Sequence, residues 1–531
     1  MGAVGSESAQ VSEQEACAAA RNLVAYAKQA GIIEAEDGIW AYNTLIGAVG
    51  ASGCAPAPDA GTEPLADVVG DASENAPSGF QAALDVLVRF MQQRGTAPKV
   101  GDGATGLSAY LMGLIMPRPS QVQQTFERLY AADSSYATDW FFRLSGDVDY
   151  VRRAAIARNI AWTTPTRWGD LEITVNLSKP EKDPRAIASA GKAPTGAAYP
   201  ACALCLENEG YAGRPAESLA GAHAARQNLR VVSMELGGER WGLQYSPYAY
   251  YDQHCIVISS VHRPMHIDRS TFARLLQFVQ MFPHYFVGSN ADLPLVGGSI
   301  LSHDHFQGGA HVFPMQKAPI DKSFEIAGFP QVEAGIVRWP TSVLRLRCED
   351  AGPLVDAACR VLDVWRGWSD EQAGIVAESA GARHNTITPI ACKADGCFQL
   401  DLALRCNVTD DEHPWGVFHP HEGLHHIKKE NIGLIEVMGL AILPPRLAPQ
   451  LEAVERALVS GDGLNDPLCA PHAAWAREVA RKHSQLNEGN VSAIVRDEVG
   501  QVFAQVLECT GVFKWDAAGR RAQERFLDAL S

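Results

Sequence analysis

Ser302-His303-Asp304-His305-Phe306-Gln307-Gly308-Gly309 alternates two imidazoles and an amide with an acid and a phenylalanine, then closes on a glycine pair. Extended backbone gives side chains a period of two, so His303, His305 and Gln307 would share one face and Asp304 and Phe306 the other. One short strand then aims two imidazoles and an amide at a single place. The apolar run before it, Leu295-Val296 and Ser299-Ile300-Leu301 around Gly297-Gly298, suits a strand entering a bend. Taken alone, two alternating histidines more often mark core rings satisfied by hydrogen bonds than a reactive pair. The rest of the chain has to shift that balance.

With 531 residues the chain is too long for one compact core, and two or three domains are expected. A hydrophobic content of 47% with 20% charged residues fits an ordinary soluble globular protein. The net charge of −16 argues against nucleic acid or an anionic membrane as the main partner. A small anionic substrate needs only a local cationic pocket and is not excluded. Most of the 12 cysteines sit singly in apolar stretches, which suits reduced, buried thiols and a cytoplasmic location. Met1 to Gln10 lacks the basic and apolar regions of a secretory signal, and no apolar run reaches the ~18 residues a membrane span needs.

Residues 1–158 read as a mainly helical segment. Leu23, Val24, Tyr26 and Ala27 recur at helical spacing, as do Phe80, Leu84, Leu87, Val88 and Met91. Ser120, after Pro117-Arg118-Pro119, is placed to cap a helix through Val122, Phe126 and Leu129, and Tyr150 to Ile160 reads as helix again. Residues 51–78, rich in Gly, Ala, Pro, Asp and Ser, read as a loop. The texture changes near Trp162. Leu171–Leu177, Leu229–Met234, Cys255–Ile258, Val337–Arg347 and Phe398–Leu404 are strand candidates. Ile267–Met281 (capped by Asp268 or Ser270), Pro353–Trp368, Leu447–Leu458 and Ala473–Ala480 read as helices. Two stretches, each with strands leading to a histidine cluster, are compatible with a duplicated unit.

Cys202-x-x-Cys205 is a spacing that lets two thiolates grip one tetrahedral ion from a single turn, though it also suits a redox pair. His262, just past the strand Cys255–Ile258, and His303 are the best partners; His254 and His266 are rivals. A closed Cys2His2 set would be structural, and its donors favour zinc, with iron admitted. The second cluster, His413, His419, His421, His425 and His426, either holds another metal or lines a polar pocket.

His305 would stand beside a metal-bound His303 and point into an open pocket. An imidazole with an unperturbed pKa of ~6.5 is largely neutral near pH 7 and is a competent nucleophile for activated phosphorus. Attack through one ring nitrogen requires the other to be fixed, often by a backbone carbonyl. Gln307 is placed to donate its amide to a phosphoryl oxygen as charge develops. Gly308-Gly309 leaves room for a phosphate, and Lys179, Lys182 and Arg185 are cations for a diphosphate.

Four segments together, Asn176–Pro184, Tyr199–Gly213, His303–Gly309 and His421–Met438, resemble the second class of galactose-1-phosphate (hexose-1-phosphate) uridylyltransferases, and the resemblance runs from about Tyr26 past Leu443. It implies an α/β fold of antiparallel, histidine-triad-like sheets with flanking helices, present twice: 159–318 with the metal site and nucleophile, and 319–531 with the C-terminal helices. It implies a ping-pong reaction in which UDP-glucose gives its uridylyl group to His305, releasing glucose-1-phosphate, and galactose-1-phosphate then takes the group to give UDP-galactose. Gln307 is the supporting amide in that scheme. Cys202, Cys205, His262 and His303 look like the family's structural metal set, and no organic cofactor is implied. Lys429 and Glu436 fall near where the family grips the sugar phosphate, often across subunits, which makes a homodimer an expectation. Asn290 and Ser302 are further candidates for phosphate or uridine contacts. The first class has proline and a small residue where this chain has Asp304 and Phe306, and both positions should face away from substrate. Histidine-triad hydrolases carry a third histidine where Gln307 stands; glutamine cannot ionise, which favours transfer over hydrolysis. A non-catalytic sugar-nucleotide sensor would be expected to have lost His305.

Overall fold

The structure, a computed structural model, describes residues 10–52, 79–178, 199–215, 217–218, 221–298 and 300–531. The expected cationic loop of Lys179, Lys182 and Arg185 lies outside the described residues. Two compact units divide the chain: Met1–Ala154, Thr195–Ser233 and Gly242–Pro247 make the first, and Ala155–Pro194, Met234–Trp241 and Tyr248–Ser531 the second.

In the first unit the periodic apolar segments form α1 (Glu13–Gln29), α2 (Gly38–Val49), α3 (Gly79–Arg94), α4 (Gly103–Ile115), α5 (Pro119–Tyr130) and α6 (Ser134–Asp147). A capping box starts α1: Ser12 Oγ accepts the Glu15 N–H at 3.2 Å, and the Glu15 carboxylate accepts the Ser12 N–H at 2.7 Å. Its buried stripe of Ala16, Ala20, Leu23 and Ala27 packs on α3, which buries Leu84, Leu87 and Met91. Ser120 does not cap α5. Arg118 holds the cap position and Pro119 is the first helical residue, where its fixed φ and missing N–H cost nothing. The expected helix over Tyr150–Ile160 shrinks to one turn, α7 (Arg153–Ile156), because Ile160 already opens a strand. Ten of the described cysteines are free and Cys17 is disulfide-bonded, an exception to the expected reduced set.

The sheets follow, in chain order β1 (Ile160–Thr166), β2 (Gly169–Val175), β3 (Val232–Leu236), β4 (Glu239–Tyr245), β5 (Cys255–Ser259), β6 (Phe286–Gly288), β7 (His305–Gly309), β8 (Ile320–Phe324), β9 (Glu333–Val337), β10 (Val343–Cys348), β11 (Glu378–Ser379), β12 (Ala382–Arg383), β13 (Asn385–Ala394), β14 (Cys397–Cys406) and β15 (Leu440–Leu443). β1 and β2 pair antiparallel, and β15 joins β2 in parallel with Leu440 opposite Glu172. In the second unit, strands of both expected halves lie in one sheet, in the order β5-β7-β6-β13-β14-β10-β9-β8. Register runs straight across it: Gln307 faces Ile256 and Gly288, Gly288 faces Ile390, Ile390 faces Asp401, and Asp401 faces Arg345. These positions share one face.

Val343, Ile390 and Ala403 join that face to a core of Leu171, Ile173, Trp339, Leu434, Val454 and Phe503. The buried pair Arg345–Asp401 crosses the same face with bonds of 2.7 and 2.9 Å, and Arg345 also donates to the carbonyls of Ala318 (3.2 Å) and Met315 (3.1 Å). Such full satisfaction is what a buried guanidinium requires. Phe306 points the other way and stacks on Trp241 at 4.8 Å. Helix α8 (Arg269–Met281) starts at Asp268, whose carboxylate accepts the Thr271 N–H at 3.0 Å. After α9 (Pro314–Lys317) comes α10 (Ala351–Gly367), which begins two residues before Pro353. Further on come α11 (Leu434–Val437), α12 (Leu447–Ser460), α13 (Ala473–Lys482), α14 (Val491–Thr510) and α15 (Ala517–Asp528).

Leu295–Gly298 and Ile300–Leu301 belong to no strand. Leu295 sits at φ +68°, and a Cβ on Gly297 would fall 2.4 Å from the Ala291 carbonyl oxygen. That is a tight turn folded onto itself, so the strand begins only at His305.

Candidate active site and metal centre

β7 carries its histidine with one ring nitrogen fixed. His305 Nδ1–H donates to the carbonyl of His303 at 2.7 Å, which sets the tautomer and leaves the Nε2 lone pair available. The side chain is buried, and burial pushes its pKa down to about 4. The ring is therefore neutral through the physiological range, the state in which nitrogen attacks.

Gln307 lies on the same face and is half-buried. Its Oε1 accepts from His254 Nε2–H at 3.1 Å. Asp304 and Phe306 face away as the alternation predicts. Arg263 reaches Asp304 at 3.4 Å and is itself held by Glu239 at 2.9 Å. Burial raises the Asp304 pKa against the opposing pull of Arg263.

His303 is buried just before β7, and its Nε2–H donates to the Ser259 carbonyl at 2.9 Å. Such a bond through one ring nitrogen is the arrangement that orients a metal-binding histidine. The His262 ring lies 4.5 Å from it, centroid to centroid. Cys202 and Cys205 form a compact turn with their Sγ atoms 3.5 Å apart, close to the separation of two thiolates on one tetrahedral ion. The N–H groups of Cys205's partner turn reinforce it: Cys202 N–H donates to Cys205 Sγ at 3.3 Å and Leu204 N–H to Cys202 Sγ at 3.4 Å. The bond from Cys205, with backbone donors, lowers the Cys202 pKa to about 7. The first unit offers two thiolates, Cys202 and Cys205, and the second two imidazoles, His262 and His303, donor types that suit zinc.

The other expected contacts separate. Asn290 is buried, and its Oδ1 accepts the Leu434 N–H at 2.9 Å. Gly298 lies so close that a Cβ there would fall 2.6 Å from Asn290 Nδ2. Ser302 is half-buried beside His303. Lys429 is exposed, whereas its neighbour Lys428 is buried and bonds Glu436 at 2.6 Å, with Glu430 at 3.5 Å. Burial opposes the Lys428 charge, but Glu436 and Glu430 hold its pKa above the ordinary lysine value.

Arg405 is a buried cation that the sequence reading did not single out. It is buried on β14, donates to the Ile432 carbonyl at 2.9 Å, and has Nε and Nη1 without a hydrogen-bond partner. Burial pulls its pKa down to about 10. An arginine closing the alternating run Phe398–Leu404 was the signal for it. The second histidine cluster turns inward on its own loop. His419, His421, His425 and His426 each bond a backbone carbonyl within five residues, and among the described residues none of them belongs to a metal-binding group.

The model of the galactose-1-phosphate uridyl transferase N-terminal domain matches residues 91–264, and that of the C-terminal domain matches residues 278–477. The chain belongs to the galactose-1-phosphate uridylyltransferase family. A uridylyltransferase of Lacticaseibacillus casei is 49% identical over 471 residues, 88% of this chain and 95% of that one. Those of Streptococcus thermophilus and Ligilactobacillus salivarius (strain UCC118) are 48% and 47% identical, each over 88% of this chain and over 92% and 93% of their own. A solved structure of yeast Ap4A phosphorylase aligns with a TM-score of 0.33 at 12% identity, over 65% of this chain and 93% of that one. At that level it adds nothing to the strand order given above. No helix among the described residues is long and apolar enough to cross a membrane.

Proposed function

We propose that this uridylyltransferase-family chain moves UMP from UDP-glucose to galactose-1-phosphate by a ping-pong route through His305. The observation that carries the reading is the His305 ring itself, with Nδ1–H held by the His303 carbonyl at 2.7 Å and a pKa of about 4. In the first half-reaction Nε2 attacks the α-phosphorus. An N–P bond forms, the bridging P–O bond breaks, and its electron pair leaves with glucose-1-phosphate. In the second, a phosphate oxygen of galactose-1-phosphate attacks the same phosphorus and the pair of the N–P bond returns to Nε2. Neither half needs a general acid, because the leaving phosphate is already a weak base. The Gln307 amide donates to the non-bridging oxygen as its charge grows.

Lys179, Lys182 and Arg185 serve the diphosphate. Asn290 and Ser302 serve uridine or phosphate, and Lys429 and Glu436 the sugar phosphate. For Glu436 the pairing with Lys428 supports a fixed carboxylate able to accept sugar hydroxyls. Zinc at Cys202, Cys205, His262 and His303 is the reading for the metal group, where it acts as a structural tie. Asp304 and Phe306 support the second class within the family. A homodimer, a cytoplasmic location and the two halves 159–318 and 319–531 complete the reading.

Incubating the protein with UDP-glucose alone should add one uridylyl group, read by intact mass, and adding galactose-1-phosphate should release UDP-galactose, read by chromatography. Release of free UMP at the same rate without acceptor would favour the hydrolase reading instead. An adduct that forms equally in His305→Ala would remove the nucleophile assignment.

A further inference from the structure

We infer that His254 is a positioning residue for uridylyl transfer, fixing which end of the Gln307 amide faces the phosphoryl group. The inference rests on the role of Gln307 proposed above. A glutamine amide presents an acceptor and a donor of nearly the same shape, so rotation by half a turn swaps one for the other. With the donor toward phosphorus the amide stabilises the developing charge. With the carbonyl there it repels that charge.

The cross-strand neighbours of Gln307 are Ile256 and Gly288, which offer no polar side chain to set the choice. His254 makes that choice. Its Nε2–H donates to Oε1 at 3.1 Å, which leaves the amide NH2 for the substrate side. The His254 ring is buried and held between Tyr250 at 5.3 Å and Tyr251 at 4.5 Å, centroid to centroid.

The loop that presents His254 is fastened to β7 itself. Tyr251 Oη–H donates to the Gly308 carbonyl at 3.1 Å, and the Ala310 N–H donates to the Asp252 carbonyl at 3.3 Å. Gln253, immediately before His254, sits at φ +52°, a left-handed conformation that a non-glycine residue holds only under constraint. Its side chain accepts from Tyr285 Oη–H. Loop and strand are therefore tied to one another at both Tyr251 and Asp252.

The test is a double-mutant cycle on the full-length protein, with kcat and KM scaled to the burst of uridylyl adduct so that only competent sites count. His254→Phe keeps a ring and removes the donor. It should lower kcat by about 10- to 100-fold, less than the ~10²–10³ typical of deleting an oxyanion donor outright, with KM for UDP-glucose changed by less than about threefold. His254→Gln, whose amide nitrogen reaches a similar point, should restore kcat to within about fivefold. Placed on Gln307→Ala, His254→Phe should change kcat by less than about twofold, because a positioning residue has nothing left to position. A full kcat in His254→Phe, or the same fold-loss on both backgrounds, would overturn the inference while leaving Gln307 in its role. An unchanged rate in Gln307→Ala alone would instead sink the role of Gln307 and this inference with it. Should His254→Phe fail to fold, His254→Asn, which withdraws the donor, stands against His254→Gln in the same cycle.

Discussion

The chain has two histidine-rich stretches, His303–His305 and His413–His426, and they use imidazole in opposite ways. In the first, the rings stand on or beside a strand, each has one nitrogen committed to a carbonyl, and the proposed function gives the other to substrate or metal. His303 reaches across 44 residues to Ser259, while His305 spends only its Nδ1, on the strand that carries it. In the second stretch the rings staple an irregular loop: His421 to the Val417 carbonyl at 3.2 Å, His425 to the Pro420 carbonyl at 2.8 Å, His426 to the Gly423 carbonyl at 3.0 Å. Density of histidine therefore says little about function. What separates the stretches is the backbone beneath: His305 opens β7, whose register fixes its ring, whereas the second stretch is irregular.

The sharpest way to break that contrast is His305→Ala. Turnover should fall by at least ~10⁴-fold, as for other covalent nucleophiles, with the protein still folded by circular dichroism. Comparable activity in wild type and variant would dissolve the distinction. Next comes the metal pair: Cys202→Ser with Cys205→Ser should bring bound zinc, measured by plasma emission, from about one per chain to near zero, and should lower the thermal midpoint because ligand binding is linked to folding. Unaltered metal content would leave His303 an ordinary buried ring.

Acid should then act on both stretches alike. Burial depresses His305, His419 and His472 to about 4. The unfolded chain takes up protons first, at ~6.5, so stability is complete above that pH and declines as pH falls from about 6.5 to 4. Denaturant midpoints across that window check the slope, and a flat profile would contradict it. The smallest effect belongs to His421→Ala, on an exposed ring bonded only to its own loop, which should cost less than ~0.5 kcal/mol in chemical denaturation and leave kcat untouched.

Much of the fold was legible because strand and helix periodicities survive in it. Phe398–Leu404 alternates and lies within β14; Asp268 announces α8 by its carboxylate. β13 escaped notice because Asn385-Thr386-Ile387-Thr388-Pro389 has a polar residue and a proline where a buried strand usually carries neither, and neighbours on both sides override that preference. The run Leu295–Leu301 looked like a strand on hydrophobicity, but a left-handed Leu295 and the close approach of Gly297 to Ala291 put a turn at Leu295–Gly298. In the site, the alternation of His305, Phe306 and Gln307 along β7 was readable from spacing alone, whereas His303 lies in a bend before the strand. The bond from His254 to Gln307 joins positions 53 apart, and the choice of Lys428 over Lys429 for burial against Glu436 depends on a turn in the loop. Neither leaves a mark in local sequence.

The parallel pairing of β15 with β2 has a consequence for the timing of synthesis. Glu172, opposite Leu440, also accepts His311 Nε2–H at 2.7 Å, so a strand made early waits for one made late. With roughly 270 residues between them and translation at about 5–20 residues per second, β2 stays an open edge on the ribosome for ~15–50 s. Nascent chains stalled before residue 440 should expose that edge to a chaperone, and chains stalled after residue 443 has cleared the tunnel should not.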